Sequence, residues 1–156
     1  MLATDILKQD HREAENLMAQ LEKASGQQNG ASYRPVFEQL QTALHKHMMV
    51  EEEIFYPAVK PADDLADQVV EAYDEHAEVK ALLAQMNELD PATPEFQDAL
   101  ATMKAGIEHH VAEEEGEMFP TAEEELGAAR MEELGKLIQQ QKSESSAQSQ
   151  SRTRAM

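Results

Sequence analysis

Apolar side chains recur along most of this chain at steps of three and four, the spacing of one helix face. No run combines period-two alternation with β-branched enrichment, so no strand is predicted. Turn signals cut the pattern into lengths. Thr4 or Asp5 can cap a first helix reaching about Ala24, and Ser25-Gly26-Gln27-Gln28-Asn29-Gly30 reads as a loop. Pro35 suits the first turn of a second helix that runs toward Pro57. Pro57 and Pro61 bracket a short connection, after which Asp63 or Asp64 opens a third helix lasting to about Leu89. Asp90-Pro91-Ala92-Thr93-Pro94 is a turn, with Thr93 as cap and Pro94 in the first position of a fourth helix running toward Pro120. Thr121 and Glu124 form a capping-box pattern for a short fifth helix to about Gln140. Ser, Gln and Arg dominate afterwards, so 141–156 is expected to be a disordered polar tail. Four helices of roughly 20 to 27 residues with short links predict an all-α, up-down-up-down four-helix bundle over 1–140.

Following each stripe exposes an anomaly. The first helix gives Leu7, His11, Ala14, Met18 and Leu21; the second gives Phe37, Leu40, Leu44, His47, Glu51 and Ile54. The third gives Val69, Tyr73 (or Ala72), His76, Val79, Leu83 and Met86; the fourth gives Phe96, Leu100, Met103, Ile107, His110, Glu114 and Met118. Every helix carries a histidine where the core demands an apolar side chain, and two carry a glutamate one turn later. One such histidine is usually a hydrogen-bonded core residue, and one such glutamate usually a snorkelling edge residue. Six are different. A buried polar group without a partner costs roughly 1–3 kcal/mol, against a total domain stability of about 5–15 kcal/mol.

Their depths agree. At 1.5 Å per residue, His47 and His110 lie roughly 15 Å before Pro57 and Pro120, and Glu51 and Glu114 roughly 9 Å before them. His11 lies roughly 10 Å into the first helix and His76 roughly 20 Å into the third, so all six fall in one layer near one end of the bundle. Helices 2 and 4 also repeat at an offset of 63 residues: Leu44 maps to Ile107, His47 to His110, Glu51 to Glu114, Tyr56 to Phe119 and Pro57 to Pro120. His45 and His109 have no histidine counterpart and read as solvated or outer residues.

Composition narrows the chemistry. With 13 Lys and Arg against 31 Asp and Glu, the formal charge of the 156-residue chain is −18, which disfavours nucleic acid and anionic membrane as partners. The absence of cysteine excludes disulfides, zinc–thiolate sites, iron–sulfur ligation and thiol catalysis. No stretch approaches the roughly 18 apolar residues of a membrane span, and Met1–Lys8 lacks the basic start and apolar run of a signal peptide, so a cytoplasmic protein is expected. Four imidazoles and two carboxylates exceed what one tetrahedral zinc accepts, and suit two five- or six-coordinate ions, iron foremost and manganese the alternative. The ferritin-like Glu-x-x-His is absent, since Lys8, Leu44, Tyr73 and Ile107 stand three residues before the four histidines. The glutamate runs 51–53 and 113–115 read as mostly solvated faces, with only Glu51 and Glu114 in the seams.

In Leu7-Lys8-Gln9-Asp10-His11, His47-Met-Met-Val-Glu51 with Phe55-Tyr56-Pro57, Glu75-His76, and His110-Val-Ala-Glu-Glu114 with Met118-Phe119-Pro120, the chain resembles the hemerythrin-like (HHE cation-binding) family over residues 1 to about 140. The resemblance implies an oxo- or hydroxo-bridged di-iron centre, with Glu51 and Glu114 bridging, His11 and His47 on one iron, and His76 and His110 on the other. Oxygen-carrying members place a further histidine four residues after the third-helix histidine, where this chain has Lys80. A protonated lysine cannot ligate, so the second iron is expected to take water or a nearby oxygen such as Tyr73, Tyr56 or a spare glutamate. The chain thus resembles the divergent four-His, two-Glu branch. The function expected is binding of O2, NO, peroxide or iron for sensing, storage or detoxification. Catalase-like peroxide decomposition, with Lys80 or Tyr73 as proton donor, is the alternative; a metal-free acidic interaction bundle is the third reading.

Overall fold

Two prolines expected to end helices only widen them. In the computed structural model, which describes all residues except 26–29, 63–64 and 155–156, α1 spans Ala3–Ser25 and α2 spans Gly30–Val50. α2 passes into a π-helical turn, Glu51–Phe55, and continues as α3, Tyr56–Val59. α4 covers Ala66–Asn87 and α5 covers Pro94–Glu113; α5 then passes through a second π-turn, Glu114–Met118, into α6, Phe119–Arg154. In each π-turn the N–H just before the proline reaches back five residues, from Tyr56 to the Glu51 carbonyl and from Phe119 to the Glu114 carbonyl. A proline ring collides with the carbonyl four residues back and offers no N–H. One wider turn relieves the collision and lets the helix go on. The repeat at 63 residues therefore extends to the backbone, and each π-turn begins at one of the two seam glutamates.

Other boundaries shift for similar reasons. Thr93 is extended (φ −89°, ψ 152°) and its hydroxyl accepts from Phe96 N, with Pro94 opening α5 as expected. Thr4, by contrast, lies inside the first turn of α1 and donates to Glu123 Oε1 at 2.6 Å. Pro35 lies inside α2, past its first turn. Most of the expected loop from Ser25 to Gly30, and the expected caps Asp63 and Asp64, fall outside the described residues. Thr121 and Glu124 cap nothing, because they sit within α6. The break falls at Gly127, whose φ of +81° is a left-handed value that glycine takes without strain. Beyond Gln141, where the composition predicts a disordered tail, the backbone is helical to Arg154. That segment extends a helix already anchored by packing, and adding turns needs no new nucleus.

The expected stripes are buried with two exceptions. Phe55 is buried in place of Ile54, and Ala72 is buried with Tyr73 half-buried. The Ile54 exchange follows from the π-turn, which adds a residue to the helix and rotates the seam by one position. Two apolar clusters result. One runs through Leu21, Phe37, Leu40, Leu83, Phe96 and Met103; the other through Leu7, Phe55, Tyr56, Phe119, Leu134 and Ile138. Between them falls the His and Glu layer, drawn from α1, α2, α4, α5 and the two π-turns, as its depths predict. Met131, Leu134 and Ile138 bring the stretch of α6 beyond Gly127 back onto α1 and α2.

That return depends on Gly135, where an added Cβ would strike the Met1 carbonyl oxygen and lie 3.2 Å from Ala3 N. Gly135→Ala is expected to destabilise the chain by about 1–3 kcal/mol, the usual cost of overpacking. Urea denaturation checks it, and an unchanged midpoint would refute the close approach. Among the described residues there is no strand, and no helix is long and apolar enough to cross a membrane.

Candidate metal centre

The six seam residues His11, His47, Glu51, His76, His110 and Glu114 are all buried and meet in one layer. They come as two groups around the same carboxylates. His11, His47, Glu51 and Glu114 offer donor atoms within 4.8 Å of one another, as do Glu51, His76 and His110. The ring centroids pair the same way, His11 with His47 at 4.8 Å and His76 with His110 at 4.9 Å. Glu51 belongs to both groups, its Oε1 lying 2.9 Å from His47 Nε2, 3.1 Å from His76 Nε2 and 4.0 Å from His110 Nε2. Glu114 Oε1 lies 3.1 Å from His11 Nε2 and 3.2 Å from His110 Nε2.

Each imidazole is oriented by a carboxylate on its far nitrogen. His11 Nδ1 lies 2.8 Å from Glu115, His47 Nδ1 2.9 Å from Asp10, His76 Nδ1 2.9 Å from Glu52 and His110 Nδ1 2.7 Å from Glu75. An acceptor there holds the proton on Nδ1 and turns the Nε2 lone pair inward, the tautomer a metal requires. Sequence reasoning missed these roles. It took Glu52 and Glu115 for solvated face residues, and gave Asp10 and Glu75 no task. A signal was present, since each of the four is the immediate neighbour of a seam residue: Asp10 and Glu75 precede His11 and His76, and Glu52 and Glu115 follow Glu51 and Glu114. Only the tertiary fold reveals that the partner is a histidine on another helix.

Of the oxygens expected to make up for Lys80, only Tyr56 reaches the centre. Its hydroxyl donates to Glu114 Oε2 at 2.6 Å and lies 3.3 Å from both His76 Nε2 and His110 Nε2. Tyr73 donates instead to the Glu52 backbone carbonyl at 3.0 Å, and Lys80 pairs with Glu52 at 2.9 Å on the outside. The counterpart of Tyr56 in the repeat, Phe119, stacks on His11 at 5.9 Å and has no hydroxyl to offer. The pseudo-symmetric halves are thus unlike: the His76/His110 side has the phenol. Tyr56→Phe keeps the ring and strips the donor from a buried carboxylate, so the metal-free protein should lose about 1–3 kcal/mol. A denaturation midpoint equal to the parent's would contradict that bond. His45 is exposed, and His109 is exposed with Nε2 2.9 Å from Glu113.

The electrostatics are those of a cluster short of positive charge. Burial alone would lower His47, but the Glu51 charge and the hydrogen bond to Asp10 push it up to about 10. His110 is likewise pushed up to about 12, the pull of Glu114 outweighing burial. Burial would raise Glu51, yet the His47 charge and the polar groups around it hold it well below the usual carboxylate range. Burial, with the charges of Glu51 and Glu114, drives the Tyr56 hydroxyl well above its ordinary value, so it keeps its proton.

Five buried atoms nonetheless have no aligned hydrogen-bond partner among the described residues: His11 Nε2, His47 Nε2, both Glu51 oxygens and Glu114 Oε1. All five converge on one another, and each offers a lone pair once a cation displaces the proton from the imidazole, so the residues present fit a cation. Above them lies a cavity of about 30 Å³, walled by the four histidines and by apolar residues such as Leu44, Val79, Ile107 and Val111. It has room for a molecule of one or two heavy atoms.

Comparison with known proteins agrees. The chain is 30% identical over 129 residues to a DNA nickase of Nostoc sp., covering 83% of this chain and 36% of that protein, so it spans about a third of that relative. The charge-based expectation that nucleic acid is no partner gains no support from a relative so named. It is 25% identical over 136 residues to the uncharacterized protein Rv2633c of Mycobacterium tuberculosis, covering 86% of this chain and 81% of that one. A crystal structure of a hemerythrin HHE cation-binding domain-containing protein from Mycobacterium kansasii, an Rv2633c homolog, superposes with a TM-score of 0.82 at 26% identity, covering 100% of this chain and 95% of that one. The hemerythrin HHE cation binding domain matches residues 2–122. The chain belongs to the hemerythrin HHE cation-binding domain family.

Proposed function

We propose that the six buried residues hold two iron ions, with manganese the alternative metal, and that the chain binds a small uncharged ligand there. O2, NO and peroxide are the ligands in view, and their sensing, storage or detoxification the purpose. The observation carrying this reading is the set of five orphaned donor atoms at the meeting point of four helices. His11 and His47 would serve one ion, His76 and His110 the other, with Glu51 and Glu114 shared. Bound there, a pair of redox-active cations supplies electrons and Lewis acidity to a ligand that no side chain of this chain could supply. The chain's own contribution is to orient and exclude. Four carboxylates fix the imidazoles, the apolar wall limits access of bulk water, and the cavity of about 30 Å³ matches the size of a diatomic or peroxide.

Tyr56 favours a second reading, catalase-like decomposition of peroxide. Its buried hydroxyl holds a proton 2.6 Å from Glu114 and lies 3.3 Å from His76 and His110 Nε2, close to where a ligand on that side would bind. One experiment separates the readings. Metal analysis of the purified chain should find about two irons per chain, the number that two donor groups sharing Glu51 imply; none would leave the metal-free interaction bundle. Peroxide is then added to the iron-loaded protein. Oxygen evolved at many times the iron content marks an enzyme, and stoichiometric bleaching or a stable adduct marks a binder.

A further inference from the structure

The four carboxylates that orient the histidines differ in what stands behind them. Glu115 pairs with Arg12 at 2.8 Å and Glu52 with Lys80 at 2.9 Å, whereas among the described residues Glu75 has only His109 behind it, at 3.8 Å. Asp10 accepts from Lys142, in the part of α6 beyond Gly127. Asp10 uses both oxygens, Oδ2 on His47 Nδ1 and Oδ1 on Lys142 Nζ. The Lys142 side chain is 27% exposed, against 58% for Arg12 and 45% for Lys80, so its pairing is the least screened of the three. α6 is in turn seated by Met131, Leu134 and Ile138 and by a hydrogen bond from Gln141 to Glu53.

We propose that Lys142 is a positioning residue for the centre: through Asp10 it fixes the His47 imidazole, so that the C-terminal helix governs how tightly the His11/His47 position holds its metal. This rests on the two-metal reading above. A carboxylate held at both oxygens cannot swing away from Nδ1, and an imidazole so held keeps Nε2 aimed inward. Losing an outer partner of a ligating histidine typically costs 10–100-fold in metal affinity.

The test uses the full chain, freed of metal and titrated with cobalt(II), whose visible absorption reports its ligands, against a competing chelator. Lys142→Met keeps the apolar stem and removes the charge; Lys142→Arg keeps the charge. Lys142→Met is expected to weaken one of the two cobalt-binding steps by about tenfold and leave the other within about twofold, with an altered cobalt spectrum. The weakened step should be the one a His11→Ala variant loses. Lys142→Arg should restore affinity to within about threefold of the parent. Unchanged cobalt affinities in Lys142→Met, with only a lower melting temperature, would make the lysine a clamp on α6 and overturn the proposal. Equal weakening of both steps would also overturn it. A parent chain that takes up no cobalt would overturn the two-metal reading itself, a result distinct from either.

Discussion

Glu51→Ala is expected to lose both metals together and to lower metal affinity by more than about 100-fold, the upper end of what even an outer hydrogen-bond partner is worth. The reason is position. Glu51 is fully buried, stands 2.9 Å from His47 and 3.1 Å from His76, and is the residue common to both donor groups. Its removal takes away a shared ligand and, with it, half of the negative charge inside the layer. The metal-free variant should also be less stable by about 3–5 kcal/mol, because it strips from His47 and His76 the buried carboxylate they both face. Metal analysis and denaturation of the same preparation check both parts. A Glu51→Ala chain that retains a full complement of metal would show that the ligand set is wrong.

Chelation should have the second-largest effect. A metal bound by the folded chain alone, present at about a thousand times its dissociation constant, adds about 4 kcal/mol per site. For a chain of this size each kcal/mol moves the melting temperature by about 2–4 °C. Removing the metal with a chelator is therefore expected to lower the melting temperature by at least about 10 °C, and restoring iron to recover it. The layer is well suited to so large a response. It separates the two apolar clusters, so the charges it contains sit between the halves of the core. Equal melting with and without chelator would deny the cation its structural part. In Glu51→Ala the difference should vanish, which ties the two experiments to one cause.

How much of this was legible beforehand can be judged from particular residues. His11, His47, His76, His110, Glu51 and Glu114 were readable because burial of six polar groups at helical spacing breaks the pattern of the surrounding stripes. Counting residues back from Pro57 and Pro120 placed them in one layer without any coordinates, since rise per residue is constant. Pro57 and Pro120 were misread as helix ends. Proline stops a helix by collision with a carbonyl, and local sequence does not tell whether packing on both sides will hold the chain helical through a π-turn. Phe55 replaced Ile54 in the core for the same reason. Asp10, Glu52, Glu75 and Glu115 were visible as acidic neighbours of seam residues. Their partners lie 37, 24, 35 and 104 positions away, and no local rule connects them.

The sequence by itself determined the bundle, the depth of its polar layer and the two kinds of donor in it, because each is a consequence of periodicity along single helices. The tertiary structure decided which carboxylate orients which imidazole, that Tyr56 rather than Tyr73 or Lys80 reaches the centre, and that α6 returns to set Lys142 on Asp10. Those outcomes depend on how helices rotate and pack against one another, and a single stripe of residues carries no record of what stands across the gap.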